Sequence, residues 1–155
     1  MDEVTISLCS AFKLQPRAIH SLAGKYHLHP LAIEGLLNPS QRPKVDSYAA
    51  EGEFQARLFI SARMAKTVSG SAHSETVSMF LGHATVLTFQ QTRGDVWDGI
   101  RQRLAGSSSR VRHNDASFLV YEATGIVRSE ANSFTLPVVK GGKLAGLLLR
   151  YDSKN

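Results

Sequence analysis

The sequence predicts an α/β domain, a mixed central sheet sandwiched between helical layers. Three observations predict it. Apolar residues recur at helical spacing near the start and again after residue 95, while the middle of the chain reads as strands. The strands form a cluster with short, Gly-containing links, as hairpins do. The chain has 155 residues, 43% of them hydrophobic, which is enough for one core of ordinary size.

The elements follow in order. Val4, Ile6 and Leu8 alternate with polar neighbours as a half-buried strand does. Pro16 suits the first turn of a helix, and Ile19, Leu22, Ala23 and Tyr26 follow at helical spacing, so residues 16–26 read as an amphipathic helix. A second, short helix begins at Pro30 with Leu31, Ile33, Leu36 and Leu37 apolar. Gly35 interrupts it at about 1 kcal/mol relative to Ala, and Asn38-Pro39 ends it. Pro43 opens an extended stretch, and residues 49–53 read as a turn. Residues 54–64 hold a strand centred on Leu58-Phe59-Ile60, and Ser69-Gly70-Ser71 is a loop. Strands at 76–81 and 85–90 form an antiparallel hairpin turning at Gly82-His83. Asp95 caps a helix running to about Leu104, with Val96, Ile100 and Leu104 on one face, and residues 106–109 end it. Asp115 caps another, with Phe118, Leu119 and Tyr121 apolar and Gly125 a weak point. From Thr135 the chain turns Gly-rich and reads as a short hairpin or a poorly ordered end.

Composition excludes several classes. The single Cys9 rules out an internal disulfide framework and a four-Cys zinc site. The longest apolar run, near Leu144 to Leu149, is far shorter than the roughly 20 residues that cross a bilayer. The first residues include Asp2 and Glu3 and carry no signal-peptide pattern, so a soluble intracellular domain is expected. The formal charge is +5 and lies mostly in the second half, with Arg101, Arg103, Arg110 and Arg112 prominent. A solvated helix face and loop explain that excess; a surface for anionic lipid, acidic helices or nucleic acid is the alternative. Trp97 and Phe118 are not interleaved with these arginines as a stacking platform requires, and no nucleic-acid motif accompanies them.

No catalytic constellation stands out, so no enzymatic activity is expected. Phosphate-loop, dinucleotide, nucleophile-elbow and zinc-protease motifs are missing from the sequence. His27 and His29 would share a strand face and suit a metal, but they fall between two helices, where turn and cap roles fit better. His20 reads as a surface residue, while His73, His83 and His113 fall in predicted loops. Cys9 reads as a small buried residue, because no base is placed beside it. Asp95 and Asp98 flank a helix start, where the dipole favours negative charge.

Three stretches, read together, go further. The first is His29-Pro-Leu-Ala-Ile-Glu34-Gly-Leu-Leu-Asn38 with Gln41-Arg42-Pro43-Lys44-Val45. The second is Val77-Ser-Met-Phe-Leu81 with Thr88-Phe-Gln90. The third is Gly94-Asp95-Val96-Trp97-Asp98 with Ile100-Arg101-Gln-Arg103-Leu104. In this order and spacing they resemble the cytoplasmic N-terminal domain of the CorA family of divalent-cation transporters, over about residues 16–123.

The resemblance implies a transporter component. Family members are pentamers, each subunit having a cytoplasmic α/β/α domain, a long stalk helix and two membrane helices with a Gly-Met-Asn loop. They pass Mg2+, or in relatives Co2+, Ni2+ or Zn2+, and a relative that exports zinc is the nearest alternative. The cytoplasmic domain senses cation bound between subunits, which links subunit geometry to cation concentration. The resemblance thus implies a regulatory domain at the cytoplasmic face of the membrane whose partners are the other subunits, the stalk and the membrane helices. Residues 1–123 are read as this domain, with its early strands partly missing, and 124–155 as a divergent end without stalk or membrane helices. Where the family commonly has an acidic pair, this chain has Glu34-Gly35, and a further family aspartate aligns with Gly125. Glu34 is therefore the one metal candidate. Pro30, Gln41, Arg42, Pro43, Lys44, Asp95 and Asp98 are read as holding the fold, Gln41 and Arg42 by satisfying backbone carbonyls.

Overall fold

The computed structural model describes residues 15–38, 40–82, 85–91, 97–130, 133–140 and 143–151. The expected strand at Val4–Leu8 and the Asp95 cap lie outside them. Helix α1 spans Pro16–Tyr26, with proline in its first turn and Ile19 fully buried. It stops where His27 enters the left-handed region at φ 50°. There the His27 amide and, at 3.0 Å, the Leu28 amide both turn back to the Ala23 carbonyl. Helix α2, Pro30–Leu37, starts with proline again. His29 precedes it, and its Nδ1 accepts the Leu31 amide at 3.2 Å. The cap role read for that histidine is present.

Strands β1 (Lys44–Tyr48), β2 (Arg57–Val68), β3 (Ser71–Leu81) and β4 (Val86–Gln90) follow. Ser69 and Gly70 have φ of 51° and 79°, so a two-residue turn with both central residues left-handed joins β2 to β3. That turn lets the ladder run from Val68–Ser71 back to Leu58–Leu81. Both strands therefore extend well past the stretches expected from their apolar content. Phe54 sits instead in an isolated bridge with Glu51.

Helix α3 (Asp98–Ala105), a 3-10 turn (Arg110–His113) and helix α4 (Ala116–Glu130) come next. Asp115 caps α4, its Oδ1 accepting the Phe118 amide at 2.9 Å. Gly125 does not interrupt α4. Strands β5 (Ser133–Lys140) and β6 (Lys143–Tyr151) close the chain as a hairpin with one irregularity at Val138/Val139.

The α/β class holds, with helices on both faces of a sheet ordered β4-β3-β2-β5-β6 and β1 beside β2. The sheet is not mixed: every strand pairing among the described residues is antiparallel. The physical reason lies in the links, since only two residues separate β2 from β3 and four separate β3 from β4, and parallel neighbours need long crossovers. Strand period then sorts the core into two layers. Ile60, Ala62, Met64, Val77, Met79 and Val86 meet Trp97, Ile100, Val111, Leu119 and Ala123 from the α3–α4 side. Phe59, Phe80, Leu87 and Phe89 meet Ile19, Leu28, Ile33 and Leu36 from the α1–α2 side. In the second layer Phe80 lies 4.8 Å from Phe59 and 5.7 Å from Phe89, centroid to centroid. No helix among the described residues is long and apolar enough to cross a membrane.

Because Phe80 is fully buried between two rings, Phe80→Ala should cost about 3–5 kcal/mol in urea unfolding. A loss under about 1 kcal/mol would show that the ring cluster does not hold α1 and α2 to the sheet.

Candidate functional site

The candidate metal residue lies on α2. Ala32, Ile33 and Leu36 point into the core, which leaves Glu34 exposed on the opposite side. It borders an apolar groove of about 660 Å³ between α1 and α2, lined by Ala23, Leu28, Ile33, Leu37 and Phe54, with exposed His20 and Asn38. Gly35 is buried. A Cβ there would stand 3.4 Å from both Lys44 Nζ and a Phe59 ring carbon. The missing side chain therefore lets α2 sit against β1 and β2, and position 35 does not share Glu34's open side.

Beneath α2, alternation along β1 puts Lys44, Asp46 and Tyr48 on one face. Lys44 Nζ pairs with Asp46 Oδ2 at 2.6 Å and lies 5.5 Å from the Phe59 ring centre. The Tyr48 hydroxyl donates to Asp46 Oδ2 at 3.4 Å, and the His29 ring stacks on Tyr48 at 4.9 Å. Burial pushes the Tyr48 phenol above its usual range, and the neighbouring Asp46 charge and hydrogen bond add to that.

No sequence pattern singles out Arg57. It is 6% exposed, and its Nη2 donates to Gln55 Oε1 at 2.9 Å and to the Tyr26 carbonyl at 3.4 Å. It meets no carboxylate among the described residues. Burial lowers its pKa, with Tyr26 opposing that. The guanidinium fills the space above Gly82, where a Cβ would fall 1.7 Å from Nη1. Gly82 was legible as a turn residue, but the cation over it was not, because it comes from another strand.

The other motif residues are placed as follows. Pro30 is exposed at the start of α2, and Pro43 is half-buried just before β1. Gln41 Nε2 donates to the Arg42 carbonyl at 3.4 Å, and the Gln41 carbonyl itself accepts Arg63 Nη2 at 3.3 Å. The Arg42 side chain is exposed and satisfies no carbonyl among the described residues; Arg63 fills the role expected of it. Asp98 lies in the first turn of α3 and accepts Gln102 Nε2 at 2.8 Å. Glu34 and Gly125 stand on helices over opposite faces of the sheet, both exposed, so one chain does not bring them together. No group of three His, Cys, Asp or Glu suited to a metal occurs among the described residues.

The arginines depart from expectation in one respect. The Arg110 guanidinium lies over the Phe118 ring at 5.4 Å, so an aromatic is interleaved with the basic segment after all. Arg103 pairs with Glu122, and Arg112 Nη1 donates to the Leu104 carbonyl at 3.2 Å.

Known proteins share this architecture. The fold matches the soluble domain of CorA from Methanocaldococcus jannaschii with a TM-score of 0.63 at 11% identity, covering 84% of this chain and 52% of that one. The complete CorA of that organism gives 0.57 at 13% identity, covering 84% and 41%. Full-length CmaX gives 0.58 at 16% identity, covering 79% and 36%. In sequence, 99 residues are 36% identical to the cobalt/magnesium transport protein CorA of Thermotoga maritima, covering 62% of this chain and 26% of that protein. The chain thus spans about a quarter of that relative's length. The fold is that of the soluble domain of a metal-ion transporter. Residues 10–129 match the family described as CorA-like Mg2+ transporter protein, and the chain belongs to that family.

Two predictions follow from the packing around α2 and Arg57. Gly35→Ala meets only ordinary contact distances and gains helix propensity, so it should stabilise by up to about 1 kcal/mol, whereas Gly35→Leu should destabilise. Gly82→Ala should drive the guanidinium from its bonds and cost about 1–3 kcal/mol in denaturant unfolding. A third concerns pH. Tyr48 binds its proton more tightly folded than unfolded, so its contribution is complete below the unfolded pKa of 10.0 and is lost as pH rises through the folded value. The fall in Tm above that pH should therefore be shallower in Tyr48→Phe.

Proposed function

We propose that this chain is a cytoplasmic, cation-responsive regulatory domain of a CorA-like divalent-cation transporter, acting without enzymatic chemistry. Family membership is the observation that carries the reading. The position of Glu34 supports it. The carboxylate is exposed at the edge of an open groove, and its expected partner position, Gly125, lies on the far side of the sheet. A cation joining those two regions has to bridge neighbouring copies, as in a ring of subunits beneath a stalk and membrane helices. Mg2+ is a hard ion that takes oxygen ligands and keeps several waters. Glu34 would supply one oxygen and water most of the shell, since Gly125 has no side chain to offer and Gly35 faces the sheet. Co2+, Ni2+ or Zn2+ are the alternative ions, and the Thermotoga relative is named for cobalt as well as magnesium.

Thermal unfolding and sedimentation in Mg2+ and in chelator test this reading. At Mg2+ about ten times Kd, linkage gives ~1.4 kcal/mol and a Tm rise of ~3–6 °C. Assembly should increase alongside it. Glu34→Gln should remove both effects. Equal Mg2+ responses in the two proteins would sink the role of Glu34, and no response in the native chain would sink cation sensing. Parallel runs with Co2+ and Zn2+ rank the ions.

A further inference from the structure

The β2–β3 hairpin reaches past the strand beside it. β4 leaves β3 at the Val77–Gln90 pair, and among the described residues no strand pairs with the outer edge of β3 from Ser71 to Glu75. The two-residue turn makes Val68–Ser71 a hydrogen-bonded pair, so Ser71, His73 and Glu75 direct their backbone groups at β2. Ala72, Ser74 and Thr76 therefore turn theirs outward. Two contacts fix this parity. The Thr76 amide donates to Gln91 Oε1 at 3.1 Å, and further along the same file the Gly82 amide donates to the Thr85 carbonyl at 2.9 Å. Gln91 thus covers one outward amide, while the exposed Ala72 and Ser74 present their N–H and C=O groups to solvent.

Edges of this kind are ordinarily blunted by proline, lysine or a bulge. Residues 71–75 hold no proline and no lysine, and the ladder through them is regular. Symmetry selects the occupant. Ala72 and Ser74 stand one position either side of His73, so a two-fold axis at His73 sets Ala72 of one copy against Ser74 of the other. A hydrogen-bonded pair then closes on each side of the axis, and Glu75 comes opposite Ser71, so no like-charged carboxylates meet. A free peptide would have to be ordered for the same bonds, whereas a second copy brings a strand already held in its own ladder. We propose that the Ser71–Glu75 edge of β3 pairs with the same edge of a second copy, joining two domains in one antiparallel sheet. This contact needs no cation and does not use Glu34, so it stands apart from the metal-bridged assembly.

Sedimentation of the full chain in chelator is the first test. It should show a dimer that grows with protein concentration and that Glu34→Gln retains. Ser74→Pro removes an outward amide that β2 does not use, and the two-fold axis doubles the loss. It should raise the dimer Kd about thirtyfold while the circular dichroism spectrum stays native. Cross-linking is the second test, in a Cys9→Ser background. His73→Cys places the two sulfurs on the axis in a non-hydrogen-bonded pair, with Cα atoms about 4.5 Å apart, and should form a disulfide-linked dimer on mild oxidation. Ser71→Cys, two positions from the axis, should not. A monomer at every concentration overturns the proposal, as does a dimer that forms only with Mg2+. So does a dimer that a folded Ser74→Pro leaves unchanged, or cross-linking that is equal in the two cysteine variants. If Ser74→Pro unfolds, the cysteine pair decides the matter alone.

Discussion

Phe59 opposite Phe80 in the β2–β3 ladder sets the parity of the sheet. Both rings are fully buried on the α1–α2 side, so their neighbours Ile60 and Met79 must face α3 and α4. A slip of one residue would send each ring to the other layer, where Trp97 and Ile100 already fill the space. β4 obeys the same constraint, with Leu87 opposite Phe80 and Phe89 one step further along the same face. Every residue of β4 is buried, which is the mark of a strand covered on both faces.

The surroundings of Glu34 are a consequence of that parity. Pairing with Ser61, Phe59 and Arg57 puts Lys44, Asp46 and Tyr48 on the face beneath α2. The Lys44 ammonium then lies over the Phe59 ring and below Gly35, so the helix approaches this closely only while that position carries nothing larger than a methyl. At the end of the same file Arg57 reaches the last carbonyl of α1, where the helix dipole favours a cation. Of the two helices that frame the groove, α1 is thus bonded at its last carbonyl by Arg57, while α2 rests over Lys44.

Much of this was legible in the residues. Pro16 and Pro30 opened their helices where expected, and the motif from His29 to Val45 carried the family resemblance that residues 10–129 bear out. The hairpin tip was not legible, because Thr67, His73 and Ser74 carry no burial signal and only the Ser69-Gly70 backbone reveals how far the ladder runs. Apolar pattern shows that a strand is buried but not which way its neighbour runs, so it does not distinguish a mixed sheet from this antiparallel one. Glu34 could be singled out by motif, while the reason for Gly35 required seeing Lys44 and Phe59 beside it. Arg110 and Phe118 are eight residues apart across a 3-10 turn and a helix start, a separation that no single period reveals.

The outer edge of β2 is shared. β1 occupies residues 57–61, and β5 takes only residues 63–65. Strands β1 to β4 are joined mostly by local links and carry the two buried core layers on their faces. The β5–β6 ribbon is a separate ladder that attaches to them through three residue pairs. Its release breaks few of the bonds that hold the inner sheet, whereas losing the inner sheet leaves the ribbon with nothing to rest on. The domain therefore has a built-in order of opening, outer ribbon before inner sheet, and the two belong to different levels of protection from exchange with solvent.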